Sequence, residues 1–360
     1  MIIKFYQNYL IKTFVKELTI VSLVFISLVF ILNVISEIRF FMNIDAGFYY
    51  PIFITLLNIP SVIFEIFPFI FLISTQLFFV KLYEKNELII LKNYGIDNLK
   101  ILKILVFTSI LIGFLITTVF YTFSSGLKHS YLYFKNQHSE DQKYLAVVNQ
   151  NGLWIKDEID NKINIINADR IEKYELKDIT ISQLDSNFNL LRTIKASSAN
   201  IIKNQWELKN AEIFTVGDPK LSSDAVEFNT NFNIEKINNM FSDLSSLNFF
   251  ELFNLHKDYK LFGYSTTEIE SHLHNLFSMP IYLTIMATIG VILMFQVQLY
   301  SSKALNIAIG VIISVLIYYL NYFINLLGKN EYVPIEISIW MTQLVLFIIC
   351  IMGTLKLNEK

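Results

Sequence analysis

Six long apolar segments decide what this chain can fold into. A hydrocarbon core about 30 Å thick is crossed by about 20 apolar residues in a helix. Lipid offers the backbone no hydrogen-bond partner, so a segment in that environment must be helical or part of a closed barrel. With 54% hydrophobic and only 17% charged residues, the chain is predicted to be an α-helical membrane protein. The six predicted transmembrane segments are 18–36, 51–80, 104–127, 275–302, 304–328 and 337–355.

The distribution of basic residues predicts the orientation. Short flanking loops rich in Lys and Arg face the cytoplasm. On one side of the membrane the short flanking loops contain only two basic residues, Arg39 and Lys329. Both termini and segment 83–96 are therefore predicted to be cytoplasmic, and the long section between the third and fourth segments is predicted to be external. The rich set contains Lys4, Lys12, Lys16, Lys81, Lys85, Lys92, Lys100, Lys103, Lys303, Lys356 and Lys360.

The section 128–267 changes to a strand pattern. Apolar and polar residues alternate in "ITISQLD" (179–185) and "NQWELKNAEIFTV" (204–216), between turn residues. "NQNGLWIKDEIDNKINII" (149–166) is typical of two strands joined by a polar turn, with "NG" as a hairpin signal. We expect a separately folded all-β, jelly-roll-like domain. Its predicted inward residues are Trp154, Ile163, Ile165, Ile181, Leu184, Ile194, Ile201, Trp206, Leu208 and Phe214.

The domain order follows from these patterns. Residues 1–127 are expected to hold three transmembrane helices, an interfacial N-terminal helix and a cytoplasmic helix at 84–94. Residues 128–267 are expected to hold the β domain and a helical return segment. Residues 268–360 are expected to hold the last three transmembrane helices.

The cytoplasmic helix 84–94 sits between two apolar runs in "YEKNELIILKNYGI" (83–96). Gly95 suits a left-handed C-terminal cap. Leu88, Ile89 and Leu91 are predicted to form its apolar face. A helix this short is marginal in water, so it needs a surface to pack on. It is either a connector lying among lipid headgroups or a docking helix for a soluble subunit, in which case Glu87 would meet a basic side chain.

Four stretches together resemble one protein family. They are "NELIILKNYGI" at 86–96, the two-proline "LLNIPSVIFEIFPFIFLIS" at 56–74, "NQNGLWIKDE" at 149–158 and "MPIYLTIMAT" at 279–288. In order and spacing they resemble the LptF/LptG lipopolysaccharide export permeases over nearly the whole chain. Gly152, Leu153 and Trp154 favour the LptG side of that family.

The resemblance implies a function and a set of partners. The chain would be the permease subunit of an ABC transporter that extracts lipopolysaccharide from the periplasmic leaflet of the inner membrane. It would pair with an LptF-type sister permease, an LptB-type ATPase dimer and an LptC-type bitopic protein, and its jelly roll would pass the lipid toward the outer membrane. The implied ATPase-coupling residues are Glu84, Glu87, Leu88, Leu91, Tyr94 and Gly95.

Several other functions lack a sequence signal. No G-x-x-x-x-G-K-[ST] motif occurs, so ATP hydrolysis and its cofactor are expected in a separate subunit. The net charge of −2 gives no indication of nucleic acid. His272 and His274 diverge on a helix, so no metal site is predicted. Cys350 is the single cysteine, which excludes an intramolecular disulfide.

Two charged residues are candidates for lipid contact. Arg39 follows the first transmembrane segment and is a phosphate ligand, an interfacial anchor or a partner for Glu37. Glu65 lies inside the second segment and either faces a partner or lies near the external interface. Within the β domain, Trp154, Ile181, Leu184 and Trp206 are candidates either for acyl-chain contact or for core filling. The alternatives to a permease are a scaffold or sensor subunit of another exporter and a membrane-anchored periplasmic enzyme.

Overall fold

The chain divides into two compact units in a computed structural model. The helical unit comprises Met1–Lys128 with Thr267–Lys360, and the β unit comprises His129–Thr266. The structure describes residues 5–42, 47, 49–138, 153–159, 162–172, 174–215, 219–234, 236–237, 243–262, 264–296 and 303–358.

The described helices confirm six transmembrane segments. Six helices in this part of the chain are long and apolar enough to cross a bilayer, and the third is a continuous stretch, Asn98–Lys135, built from α4, a π-helical turn and α5. The helices are α1 Phe5–Phe41, α2 Tyr49–Glu84, α3 Glu87–Asn93, α4 Asn98–Leu115, the π-helical turn Ile116–Phe120, α5 Tyr121–Asn136, α6 Phe249–Phe262, α7 Thr267–Gln296, α8 Lys303–Lys329 and α9 Ile335–Asn358.

The first two helices are longer than the segments predicted for them. At 1.5 Å per residue the 37 residues of α1 span about 55 Å, well beyond a hydrocarbon core of about 30 Å. From Phe5 onward the expected interfacial N-terminal helix is continuous with the first span. Pro60 and Pro68 lie inside α2 without ending it, as neighbouring helices allow in a membrane protein.

Small residues bring the helices of the helical unit close together. Helix α7 packs against α2, α4 and α9, and more of it is buried than of any other described span. A Cβ added at Gly113 would lie 3.0 Å from the backbone of Pro280. A Cβ added at Gly290 would lie 2.9 Å from Cβ of Thr75 and 3.0 Å from the Leu72 carbonyl. Such close backbone approach is what small residues provide between membrane helices.

The contact at Gly290 gives a stability prediction. Gly290→Ala forces α7 away from the rigid backbone of α2, so we expect a loss of about 1–3 kcal/mol. Thermal unfolding of the purified full-length chain measures it. Gly126→Ala in α5 is the matched control, because an added Cβ there meets nothing within 4 Å. Equal unfolding temperatures for the two variants would contradict the close α2–α7 contact.

The β unit contains one antiparallel sheet in its described part. Six strands lie in sequential order, so every neighbouring pair is also consecutive in the chain. This confirms the β-rich domain between the third and fourth spans and refines the jelly-roll expectation to a meander of strands. The hairpin predicted at 149–166 is confirmed by β1 pairing with β2, while its Asn151 and Gly152 lie outside the described residues. The strands are β1 Leu153–Ile159, β2 Lys162–Glu172, β3 Glu175–Leu184, β4 Leu190–Asn200, β5 Gln205–Thr215 and β6 Leu221–Asn229.

One face of the sheet is covered by the segment that follows β6. Trp206 is fully buried, and its indole N–H donates a 2.9 Å hydrogen bond to the Phe232 carbonyl. Phe232 itself, Leu247 and Leu252 are also buried. A single sheet can bury one face only against other chain, and here the return segment provides that cover.

Candidate docking and lipid-facing sites

Helix α3 is shorter than predicted. Asn86, with a φ of 55°, breaks the chain direction before it, so Glu84 is the last residue of α2 and α3 comprises only Glu87–Asn93. Gly95 has a φ of 74°, which confirms the predicted left-handed cap. The Gly95 N–H bonds the Lys92 carbonyl and the next N–H bonds the Leu91 carbonyl, which is a Schellman ending.

The apolar side chains of α3 point in two directions. Leu88 is 2% exposed and belongs to the core of the helical unit, with Leu91 packed against that core. Ile89, Ile90 and Tyr94 are 59%, 51% and 81% exposed. The prediction that Leu88, Ile89 and Leu91 form one apolar face is therefore wrong. Successive residues of a helix are rotated by about 100°, so Ile89 points away from the core that Leu88 and Leu91 contact. We call Ile89, Ile90 and Tyr94 the α3 patch.

The carboxylate of Glu87 is held within the chain. Its two oxygens accept hydrogen bonds from the Tyr9 hydroxyl at 2.8 and 2.7 Å, and Lys85 Nζ lies 3.7 Å from Oε1. A second polar contact joins α1 to the last turn of α2, where Glu17 forms an ion pair with Lys81. Glu87 was expected to meet a basic side chain of a partner, whereas the structure shows it bound to α1.

A chain of polar side chains links three spans at the opposite end of the helical unit. The Asn58 amide donates to the Asn33 side-chain oxygen at 3.3 Å, and Lys128 Nζ donates to the Asn58 side-chain oxygen at 2.9 Å. The sequence alone did not pair these residues, since Asn58 is 25 positions from Asn33 and 70 from Lys128. Arg39 is exposed in the last turn of α1, and neither Glu37 nor any other described residue forms an ion pair with it.

Glu65 lies on the outer surface of α2 rather than in the helix core. One turn further along α2, the Phe69 ring packs against that of Tyr318 on α8, with 5.5 Å between their centroids. Tyr318, Tyr319 and Tyr322 are all exposed on α8, the least buried of the described spans. A carboxylate is costly in lipid, so this surface is a further candidate for partner or headgroup contact.

The two neighbouring histidines contact different elements. His272 shares a 2.9 Å hydrogen bond with the Tyr121 hydroxyl of α5, whereas His274 accepts one from the Trp340 indole of α9 at 3.3 Å. Both therefore serve contacts between helices.

In the β unit the predicted inward residues separate into two groups. Ile181 and Trp206 are fully buried on the aliphatic face. Leu184 is half-buried and pairs with Ile163, and both lie with Ile165 on the opposite face, so the prediction that all three point inward with Ile181 is wrong. Trp154 is 56% and Phe214 38% exposed, so the inward assignment of both is wrong. Trp154 alternates with Leu153 and Ile155, which take the buried face of β1, and side chains on a strand alternate between faces.

A polar row crosses the otherwise aliphatic buried face. Asp157, Asn164, Gln183 and Arg192 lie on β1 to β4, each directly opposite the next. The Gln183 amide donates to Asn164 at 2.8 Å, and Arg192 Nε donates to the Gln183 oxygen at 2.8 Å. Hydrogen bonds thus join Asn164, Gln183 and Arg192, whereas the Asp157 carboxylate bonds residues after β6.

Asp157 joins the first strand to the segment after the last one. Its fully buried carboxylate accepts hydrogen bonds from Thr230 Oγ1 at 2.7 Å, from the Asn231 side-chain amide at 2.8 Å and from the Asn231 N–H at 3.2 Å. Thr230 follows directly after β6. This carboxylate therefore holds the return segment against β1.

The exposed surface of the sheet carries ion pairs of its own. Glu175 on β3 bonds Lys177 and Lys209, and these two ammonium groups lower the pKa of Glu175 to about 2. The same contact raises the pKa of Lys209. Both groups are ionised at neutral pH, so the link between β3 and β5 persists under physiological conditions.

Removing the Asp157 carboxylate should open the β unit. Asp157→Ala leaves three donors in the Thr230–Asn231 turn without their acceptor, so we expect a loss of about 3 kcal/mol. Limited proteolysis of the full-length chain at residues 230–262 measures it. Asp169→Ala removes a carboxylate that is exposed on β2 and should leave the cleavage rate unchanged. Protection of Asp157→Ala equal to that of the original chain would show that Asp157 does not hold the segment.

A comparison with protein families matches residues 8–356 to the lipopolysaccharide export system permease LptF/LptG. The match runs through all six spans and the β unit, and it covers LptF and LptG alike, so the LptG assignment stays a prediction. No curated protein matches the chain.

Proposed function

Because the chain belongs to the LptF/LptG family of lipopolysaccharide export permeases, we propose that it is the membrane subunit of an ATP-driven transporter. In this proposal it withdraws lipopolysaccharide from the periplasmic leaflet of the inner membrane. The family match over residues 8–356 carries the proposal. We further propose the LptG role, on the basis of Gly152, Leu153 and Trp154.

The α3 patch supports the proposal that a separate ATPase subunit binds this chain. Ile89 and Ile90 project from a helix of seven residues that is anchored through Leu88, and Tyr94 projects from its C-terminal cap. Exposed apolar groups on a rigid short element are typical of a helix that fits a groove in a partner. The proposed occupant is a soluble ATPase dimer, since the chain has no phosphate-binding loop of its own.

The flanking charges support the proposed orientation. Lys81, Lys85 and Lys92 surround α3, which fits a cytoplasmic position under the positive-inside rule. The β unit would then be periplasmic, where it would meet a bitopic partner. Both chain termini would be cytoplasmic.

The exposed spans support a sister permease. Helices α1 and α8 are the least buried of the described spans, and α8 presents Tyr318, Tyr319 and Tyr322. Tyr318 packs against Phe69, one turn after Glu65 on α2. Tyrosine and carboxylate groups on a membrane surface favour a protein partner over acyl chains alone. We propose that an LptF-type subunit covers this surface.

The cargo would meet both units. Its anionic headgroup would bind near Arg39, where guanidinium geometry suits a phosphate. Its acyl chains would need an apolar path, and the aliphatic face that contains Ile181 and Trp206 is the candidate in the β unit, provided that the segment after β6 moves off it. Leu184 pairs with Ile163 and lies on the opposite face of the sheet. Trp154 lies on the other face and would contact a partner or the outside of the cargo. The alternative, a scaffold subunit, needs the α3 patch but no lipid path.

Co-purification tests the proposal directly. The chain solubilised from native membranes should bring an ABC-type ATPase, a second permease of the same family and lipopolysaccharide. Ile90→Asp places a charge in the α3 patch and should reduce the recovered ATPase about tenfold or more, since truncated interface anchors typically cost over 1.4 kcal/mol. The sister permease should be retained.

Lys92→Gln changes the net charge by the same amount at an exposed position about 160° around α3 from Ile90, so it isolates the apolar contact. It should recover the ATPase at close to the original level. ATPase without lipopolysaccharide would favour the scaffold function. Full ATPase recovery with Ile90→Asp would contradict docking through the α3 patch.

A further inference from the structure

Two polar contacts fasten α1 to the segment around α3. The Tyr9 hydroxyl bonds both oxygens of Glu87, 78 positions away in the chain, and Glu17 forms an ion pair with Lys81. Tyr9 and Glu17 are two turns apart on α1, so both side chains emerge from one side of that helix. We call these two contacts the α1 clamp.

Aromatic packing fixes the same end of α1. Leu10 and Phe14 are fully buried between the clamp residues, and the Phe14 ring contacts those of Phe71 and Phe78 on α2 at 6.4 and 6.1 Å. Leu88 of α3 belongs to the same core cluster. The first part of α1 is therefore held to α2 and α3 together.

The middle of α1 is held much less tightly. Of residues 22–36, all described by the structure, Val29 alone is buried. An element with few buried contacts moves at low cost, whereas one fixed by packing moves with its neighbour. A displacement of α3 would therefore carry the clamped end of α1 with it and tilt the lightly packed remainder.

We propose that Tyr9 is a positioning residue that transmits movement of α3 to α1 through the Glu87 carboxylate. The inference rests on the proposed function, in which a motor subunit displaces α3 by engaging the α3 patch. Glu87 then acts inside the chain, because its carboxylate faces Tyr9 and Lys85. Helix α1, with Arg39 in its last turn, becomes the element that moves at the lipid-binding end.

Tyr9→Phe removes the hydroxyl donor and keeps the ring. Glu87 retains Lys85 as a partner, so its charge remains compensated. Tyr6→Phe is the matched control, because Tyr6 packs against the same core one turn earlier and forms no hydrogen bond with any described residue. Neither substitution touches the α3 patch.

The first experiment measures coupling in the purified complex with its ATPase. Tyr9→Phe should lower the lipopolysaccharide released per ATP hydrolysed about fivefold or more, as expected for loss of a coupling contact, with the ATPase still bound. Tyr6→Phe should release lipid at the original ratio. An original ratio for Tyr9→Phe would overturn the proposal.

The second experiment measures the clamp itself. Spin labels on cysteines at Lys12 and Lys92, in a Cys350→Ala background, report the distance between α1 and α3. We expect one narrow distribution, unchanged on addition of ATP and vanadate, and a broadened one for Tyr9→Phe with or without the motor. A distance that changes with ATP in the chain with Tyr9 intact, or no broadening for Tyr9→Phe, would overturn the inference.

The two experiments separate the inference from the proposed function. If no ATPase accompanies the chain, the proposed function fails, while the distance distribution without ATP still tests the clamp. If the ATPase binds and Tyr9→Phe has no effect on either readout, the motor assignment stands and the role of Tyr9 is wrong.

Discussion

The absence of hydrogen-bond partners in hydrocarbon is the constraint on which the rest of the structure depends. It makes every membrane segment helical, so that Ser and Thr hydroxyls within the spans bond carbonyls of their own helix, as Ser22 and Thr75 do. Polar contacts between helices are found near the helix ends. At one end Tyr9 and Glu17 bind Glu87 and Lys81, and at the other Asn33, Asn58 and Lys128 form a chain across three spans. The apolar middle contributes packing, with glycines such as Gly113 and Gly290 setting the distance between helices. The polar contacts between helices named here thus form two groups, at opposite ends of the helical unit.

The β unit obeys a different constraint. One face of its sheet is solvated, whereas the apolar face must be covered by another part of the chain. The segment after β6 supplies the cover, and the Asp157 carboxylate holds that segment to β1. On the described strands, the polar row from Asp157 to Arg192 interrupts the aliphatic face, and its residues lie directly opposite one another on neighbouring strands.

Local patterns in the sequence were sufficient for the spans, the strand-rich section and the cap at Gly95. They did not predict which face of a strand or helix a side chain occupies, or which residues distant in the chain are in contact. Trp154 and Trp206 occur in equally alternating strands, and only the pairing of β1 with the rest of the sheet places one outside and the other inside. Leu88 and Ile89 are neighbours in the chain, yet the short α3 turns them to opposite surroundings. Contacts such as Tyr9 with Glu87 join residues far apart in the chain and leave no periodic signal.

The proposed function requires α3 and the β unit to lie on opposite sides of the membrane, with the ATPase bound on one side and lipopolysaccharide on the other. Single cysteines at Lys92 and at Trp154, in a Cys350→Ala background, test it with a maleimide that cannot cross membranes. In sealed spheroplasts, whose outer surface is periplasmic, the reagent should label the cysteine at position 154 and should reach the one at position 92 only after lysis. Labelling of both positions before lysis would contradict the account.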